Sequence, residues 1–369
     1  MEIKNLVCRT LREKPETKRA SRRLGNIDMN KLIRMGLNEN VFGISPKALE
    51  AMYETTESGN YYQDWTQKEL KSVIAEHYDV TPDFIVTGCG SSSLTDALGV
   101  AFFEPGDELV LCMPTFPAII DTAQMNGAST VIVPMGDDLT YDLDALLAAI
   151  TEKTKMVYIC NPNNPTGTYV GKEKLMEFAA KCPDHVIQVY DEAYIEFSEA
   201  PDCVEMVEAM KTMPEKPIVL LKTFSKFYAM AGIRAGYILA QPEIIEWLSK
   251  CGTQFALSKV SQAGAAAAMR DKEHQKYVKE ENAKWRNYLM EGLENLGCKV
   301  YPSQTNFIFF HPNVDPETVS AKMMERGIMI SAQAGANRVS VGKPEHCQLF
   351  MKYMEEILAE MAIEEKQAI

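Results

Sequence analysis

Histidine is scarce, with five in 369 residues, and none stands in an H-x-x-x-H or H-E-x-x-H arrangement. That argues against a zinc enzyme. The nine cysteines are scattered, without a C-x-x-C redox pair or a metal knuckle. Their odd count, and places inside apolar stretches such as Val110-Leu111-Cys112, predict reduced core thiols and a cytoplasmic protein. No apolar run approaches the roughly 18 residues of a membrane helix. The opening Met1-Glu2-Ile3-Lys4-Asn5 lacks the apolar core of a signal peptide. Repeats, low-complexity tracts and flexible linkers are missing as well. Positive charge is in deficit: a net charge of −13 speaks against general affinity for nucleic acid or anionic lipid. Only residues 1–34 reverse the sign, with ten Lys/Arg against four Asp/Glu. That stretch reads as a solvated basic arm, which an anionic substrate could exploit.

What remains is an ordinary globular composition, 46% apolar and 24% charged, long enough for two or three domains. From about residue 84, short β-rich runs alternate with helical patterns. The runs are 84–87, 108–112, 130–133, 156–159, 186–190 and 218–221. Helices are predicted over about 92–103 and 117–126, and between most of the later runs. Being apolar throughout, these runs suit strands covered on both faces of a mostly parallel sheet flanked by helices. After residues 237–239 the pattern changes to a long helical stretch, about 258–296. Then come a run at 306–310, a helical 315–326, a run at 338–341 and a charged terminal helix. This predicts an α/β large domain over 41–264, with a smaller α+β domain from 265–369 and the arm 1–40 packed beside it.

Four segments carry chemistry. Gly88-Cys89-Gly90-Ser91-Ser92-Ser93 follows a strand and opens a helix, where free N–H groups attract a phosphate; a plain tight turn explains it equally well. Ser93 replaces the third glycine of a dinucleotide site, which disfavours a nicotinamide enzyme. Asn161-Pro162-Asn163-Asn164-Pro165-Thr166-Gly167 is a rigid turn presenting an amide. Asp191-Glu192-Ala193-Tyr194 ends a strand with a carboxylate that could cap a helix, bind a metal or pair with a pyridinium nitrogen. The segment Thr223–Arg234 offers Lys226 as a nucleophile once desolvated. Ser225 and Arg234 stand ready for a phosphate.

Together these segments resemble the fold-type I, class I/II pyridoxal-phosphate-dependent aminotransferases, nearest their histidinol-phosphate aminotransferase branch. The likeness rests on 161–167, Asp191–Phe197 and Ser225–Arg234 in order and spacing, with Leu37–Asn40, Glu104–Asp107, Asn306-Phe307 and Arg338–Gly342 as further landmarks. It implies pyridoxal 5'-phosphate, held covalently by Lys226, which also moves the substrate Cα proton. Asp191 would pair with the ring nitrogen, Asn164 and Tyr194 with the phenolic oxygen, and Phe116 would stack on the ring. Ser91, Ser92, Thr223, Ser225 and Arg234 would bind the phosphate, joined by Tyr62 from a partner subunit in a homodimer. Arg338, with Asn164, would hold the substrate carboxylate.

One departure bears on substrate. The branch commonly carries an arginine after Gly-Ile-x-x, whereas here Gly327-Ile328-Met329-Ile330 is followed by Ser331. A serine cannot neutralise a phosphate dianion, although Lys18, Arg22 or Arg23 in the arm could compensate. The reading is therefore a transaminase moving an amino group between an L-amino acid, or histidinol phosphate, and a 2-oxo acid such as 2-oxoglutarate. A specific histidinol-phosphate aminotransferase, a decarboxylase or lyase on the same residues, and a non-catalytic binding protein are the competing readings.

Overall fold

The computed structural model describes residues 6–13, 32–252 and 255–367. A two-residue strand, β1 (Ile33–Arg34), comes first. The central sheet takes β2 (Ile85–Gly88), β3 (Glu108–Met113), β4 (Ser129–Pro134) and β5 (Thr154–Cys160). It then takes β6 (Ile187–Asp191), β7 (Ile218–Thr223) and β8 (Gly236–Ala240). Its spatial order is β2-β8-β7-β6-β5-β3-β4. Only β8 runs against the rest, pairing antiparallel with β2 on one side and β7 on the other. All other pairings are parallel, which the intervening helices make possible.

Side-chain alternation splits the sheet residues between two cores. Val110, Cys112, Val157, Ile159 and Leu220 face one, closed by helices Pro46–Thr56, Lys172–Lys181 and Lys259–Arg270. Leu109, Leu111, Tyr158, Val189 and Leu221 face the other, under helices Gly90–Phe102, Ala118–Met125 and Pro242–Ser249. Each such aliphatic side chain, fully buried, contributes about 1.5–3 kcal/mol. Cover on both faces fails at β4, where Ile132 is exposed, because that strand is the sheet's edge.

The later part of the chain adds β9 (Lys299–Val300), β10 (Phe307–His311), β11 (Ile328–Met329), β12 (Ser331–Gln333) and β13 (Ala336–Ser340). Four of these form an antiparallel sheet, β12-β13-β10-β9, while β11 pairs in parallel with β1. Met35 joins Trp285, Phe310, Val339 and Phe350 in a third core beneath helix Pro344–Gln367.

Two elements differ from the sequence expectation. The stretch 258–296 is two helices, Lys259–Arg270 and Lys272–Asn295, broken at Asp271. Asp271 leaves helical geometry and caps the second helix, accepting from the His274 N–H, while its other oxygen takes the Ser45 hydroxyl. The helix after β2 starts at Gly90 rather than near 92, so Ser91 and Ser92 belong to its first turn.

Candidate active site

Five parallel strands deliver their carboxyl ends to one cavity of about 440 Å³, the usual place for a site in an open α/β sheet. After β2 come Ser91 and Ser92; after β3, Phe116; after β5, Asn164; at the end of β6, Asp191 and then Tyr194. Thr223, Ser225, Lys226 and Arg234 follow β7, and Arg338 on β13 closes the far wall. Of the described residues to which the resemblance assigns a cofactor or carboxylate contact, only Tyr62 does not line this cavity. It is 83% exposed, edge-on to Phe255. Lys18, Arg22 and Arg23 lie outside the described residues.

Lys226 is the amine at the centre. Its Nζ donates to the Leu37 carbonyl at 3.2 Å and stands 5.8 Å from the Tyr194 ring centre. Burial lowers its pKa to about 8, with Arg338 and Arg234 pushing the same way and Asp191 opposing. Asp191 is buried at the strand end, its oxygens accepting from the Tyr158 hydroxyl at 2.6 Å and the Ala193 N–H at 3.1 Å. Burial outweighs these bonds and raises its pKa. Among the described residues no cation stands within ion-pair distance of it.

The Tyr194 hydroxyl accepts from Asn38 Nδ2 at 3.0 Å and Asn164 Nδ2 at 3.5 Å. Asn164 Oδ1 in turn accepts from Arg338 Nη1 at 2.5 Å. Arg338 also donates Nη2 to the Gly36 carbonyl at 2.8 Å and lies 5.3 Å over the Phe307 ring, but its buried Nε has no acceptor. Burial lowers its pKa, and among the described residues no carboxylate pairs with it.

Arg234 sits with φ at 60° and donates Nη1 to Ser225 Oγ at 3.2 Å and to the Ala231 carbonyl at 2.9 Å. Both are neutral acceptors. Its Nη2 crosses the helix start so closely that a Cβ on Gly90 would come within 2.3 Å, and Gly90 has φ +78°. Only glycine fits there. The helix N-terminus beside it has no side-chain cap at Cys89, leaving its first N–H groups free for an anion.

Three deficits therefore share the cavity: a buried acid without a cation, a guanidinium and uncapped helix start without an anion, and a lysine part-way to a free amine. Pyridoxal phosphate carries a ring cation, a phosphate and an aldehyde, so the residues fit it.

Comparison with known proteins agrees. The family model for aminotransferase class I and II matches residues 30–353. The chain belongs to this family. It is a pyridoxal-phosphate-dependent transaminase. A histidinol-phosphate aminotransferase of Akkermansia muciniphila is 36% identical over 344 residues, 92% of this chain and 93% of that protein. An aromatic amino acid aminotransferase of Corynebacterium glutamicum is 35% identical over 331 residues, 90% of this chain and 95% of that one. The crystal structure of a histidinol-phosphate aminotransferase from Sinorhizobium meliloti, in complex with pyridoxal-5'-phosphate, superposes with a TM-score of 0.88. It is 27% identical, covering 96% of this aminotransferase and 98% of that chain.

Sequence reasoning missed Tyr158, Asn38 and Gln333. Tyr158 is a hydroxyl within an aliphatic strand run, a signal that was visible. Asn38 has φ 55°, a turn conformation that asparagine tolerates, and its neighbours 37–40 were noted only as a landmark. Gln333 had no local signal.

Proposed function

We propose that the cavity moves an amino group between an L-amino acid and a 2-oxo acid such as 2-oxoglutarate, with these residues in the following roles. The cofactor, when bound, supplies an aldehyde that captures the amine and a cationic ring that stores the electron pair released at Cα. Lys226 Nζ holds the cofactor and takes or returns the proton at the substrate Cα, a task its lowered pKa suits. Asp191 keeps the ring nitrogen charged, and Tyr158 keeps that carboxylate aimed. Asn164 and Tyr194 bond the ring's phenolic oxygen, and Phe116, 39% exposed, covers a ring face. Ser91, Ser92, Thr223, Ser225 and Arg234 hold the phosphate. Arg338 grips the substrate carboxylate, with Asn164 Oδ1 orienting its guanidinium.

One observation carries this reading. An acid, an amine and two arginines, none ion-paired among the described residues, converge on one cavity. The proposal extends to a homodimer in which Tyr62 of the partner subunit completes the phosphate cradle. It also includes a large unit over 41–264, a smaller one from 1–40 with 265–369, and a cytoplasmic location. The β1–β11 pairing and the third core support the smaller unit. Among the described residues no helix is long and apolar enough to cross a membrane.

Histidinol phosphate is the second reading, favoured by the relatives that carry that name. Against it stands Ser331, whose hydroxyl donates to the Gly36 carbonyl at 3.1 Å and brings no charge. The deciding experiment is a half-reaction screen of the holoenzyme across the common amino acids and histidinol phosphate, read by cofactor absorbance. Several amino acids should bleach the aldehyde form of the holoenzyme. A response to histidinol phosphate alone would establish the second reading, and carbon dioxide release in place of oxo acid would defeat both.

A further inference from the structure

Among the polar side chains of the cavity given no role above, Gln333 stands apart, because Asn38 and Thr115 are bonded within the chain. Gln333 ends β12, which pairs with β13 so that Ser331 faces Arg338 and Gln333 faces Ala336. Residues two apart on a strand, and residues directly opposed across a pair, project to the same face. Ser331, Gln333 and Arg338 therefore share one side of the hairpin. Ser331 is engaged by the Gly36 carbonyl. Gln333 lines the cavity, and its buried Nε2 meets no acceptor among the described residues. Buried amide nitrogens are nearly always bonded, so this side chain, which lines the cavity, is left with hydrogen-bonding capacity unspent.

We propose that Gln333 is a specificity-determining residue, hydrogen-bonding an uncharged polar group on the side chain of the amino donor while Arg338 holds its carboxylate. This rests on the transaminase assignment of the cavity. Gln333 is a diagonal neighbour of Arg338, on the order of 7–8 Å away along the sheet, one step nearer the hairpin tip. That offset suits a polar group several bonds beyond Cα. Leu37, Phe116 and Pro117 line the same cavity, so the intervening part of the side chain is apolar. An amide can present its oxygen or its N–H, which matches a hydroxyl or another amide. Being neutral, it offers a phosphate dianion no countercharge.

The test compares matched donors on the holoenzyme: tyrosine against phenylalanine, and glutamine against norleucine. Wild-type enzyme should favour the polar member of at least one pair by about tenfold or more in kcat/KM, the scale of one neutral hydrogen bond in a closed site. Gln333→Leu should erase that ratio by slowing the polar donor while sparing the apolar one. Binding supplies a second readout: the α-methyl analogues of the pair that shows the preference, which have no Cα proton to lose, should show the same ratio of Kd by calorimetry and lose it in the variant. A wild-type preference absent from both pairs overturns the proposal whatever the variant does. Equal slowing of both donors overturns it too, by returning the amide to the scaffold. A wild-type enzyme inert to every donor would instead bring down the transaminase assignment, and this inference with it.

Discussion

Water is stripped from the Lys226 ammonium by burial, and two guanidiniums stand in its field, so the amine sheds its proton near pH 8 rather than near 10.5. Covalent capture of pyridoxal phosphate by cofactor-free enzyme should therefore rise with pH and level off above about 8, as stopped-flow absorbance would measure. A rate still climbing toward pH 10.5 would contradict the environment described for this amine. Arg338→Met should move the midpoint upward by removing one repelling charge. It should leave it below 10.5, because burial is the larger cause and is unchanged. The same shift links to folding with a definite sign. Between pH 8 and 10.5 the folded chain binds fewer protons at this site than the unfolded chain, so this residue makes cofactor-free stability rise across that window.

At the scale of elements, β6 and β7 each do two things at once. β6 ends in Asp191 toward the cavity, and Glu192 follows it into a buried cluster. β7 ends in Thr223 toward the cavity, while Lys222 lies on the same strand face as Ile218 and Leu220. Fully buried Lys222 reaches Glu205 at 2.5 Å, Glu196 at 3.3 Å and Glu192 at 3.4 Å. Burial pulls its pKa down, but the three carboxylates together overcome that and hold it charged. Glu192, with burial the larger effect, is pushed up despite Lys222. Lys222→Met would leave three carboxylates beside apolar volume, and breaking such a buried set costs about 3–5 kcal/mol. Protonating the orphaned acids relieves that cost. The folded variant then binds more protons than its unfolded chain, and its deficit should deepen from pH 6 to pH 8 in urea unfolding. A deficit below about 1 kcal/mol, or one flat with pH, would mean that the cluster does not depend on its lysine.

The same elements mark how far the sequence could be read. β2, β3, β5, β6 and β7 were legible because strands buried on both faces are largely apolar runs. Most of the expected cavity residues were legible because they follow such runs, whereas Arg338, inside β13, was legible only through the family resemblance. Lys222 was not: the sequence reads only Leu-Leu-Lys-Thr, and its three acids come from segments 17 to 30 residues away. The break at Asp271 was hidden because Ala-rich helix runs directly into charged helix, and only a capping aspartate separates them. Gln333 became visible only through register, since its meaning depends on Ser331 facing Arg338 across a hairpin.

Whole-molecule organisation decides whether one chain's cavity is a complete site. Tyr62 and its exposed neighbours Tyr61, Trp65 and Phe255 form an aromatic patch, and Tyr62 is absent from its own chain's cavity. If Tyr62 serves the partner's phosphate, two inactive chains can make one active site. Consider co-expression of Lys226→Ala with Tyr62→Ala. In a two-fold dimer each cavity combines Lys226 of one protomer with Tyr62 of the other. The mixed dimer then contains one cavity with both defects and one with neither. Random pairing should yield about a quarter of the wild-type sites, measured as turnover at cofactor concentrations too low to load either parent dimer fully. If Tyr62 instead acted on its own chain, each cavity of the mixed dimer would carry one defect and no wild-type site would form. Recovery of tight cofactor binding and turnover in the mixture, absent from both parents, separates these arrangements. Activity no greater than the sum of the parents would remove Tyr62 from the cradle.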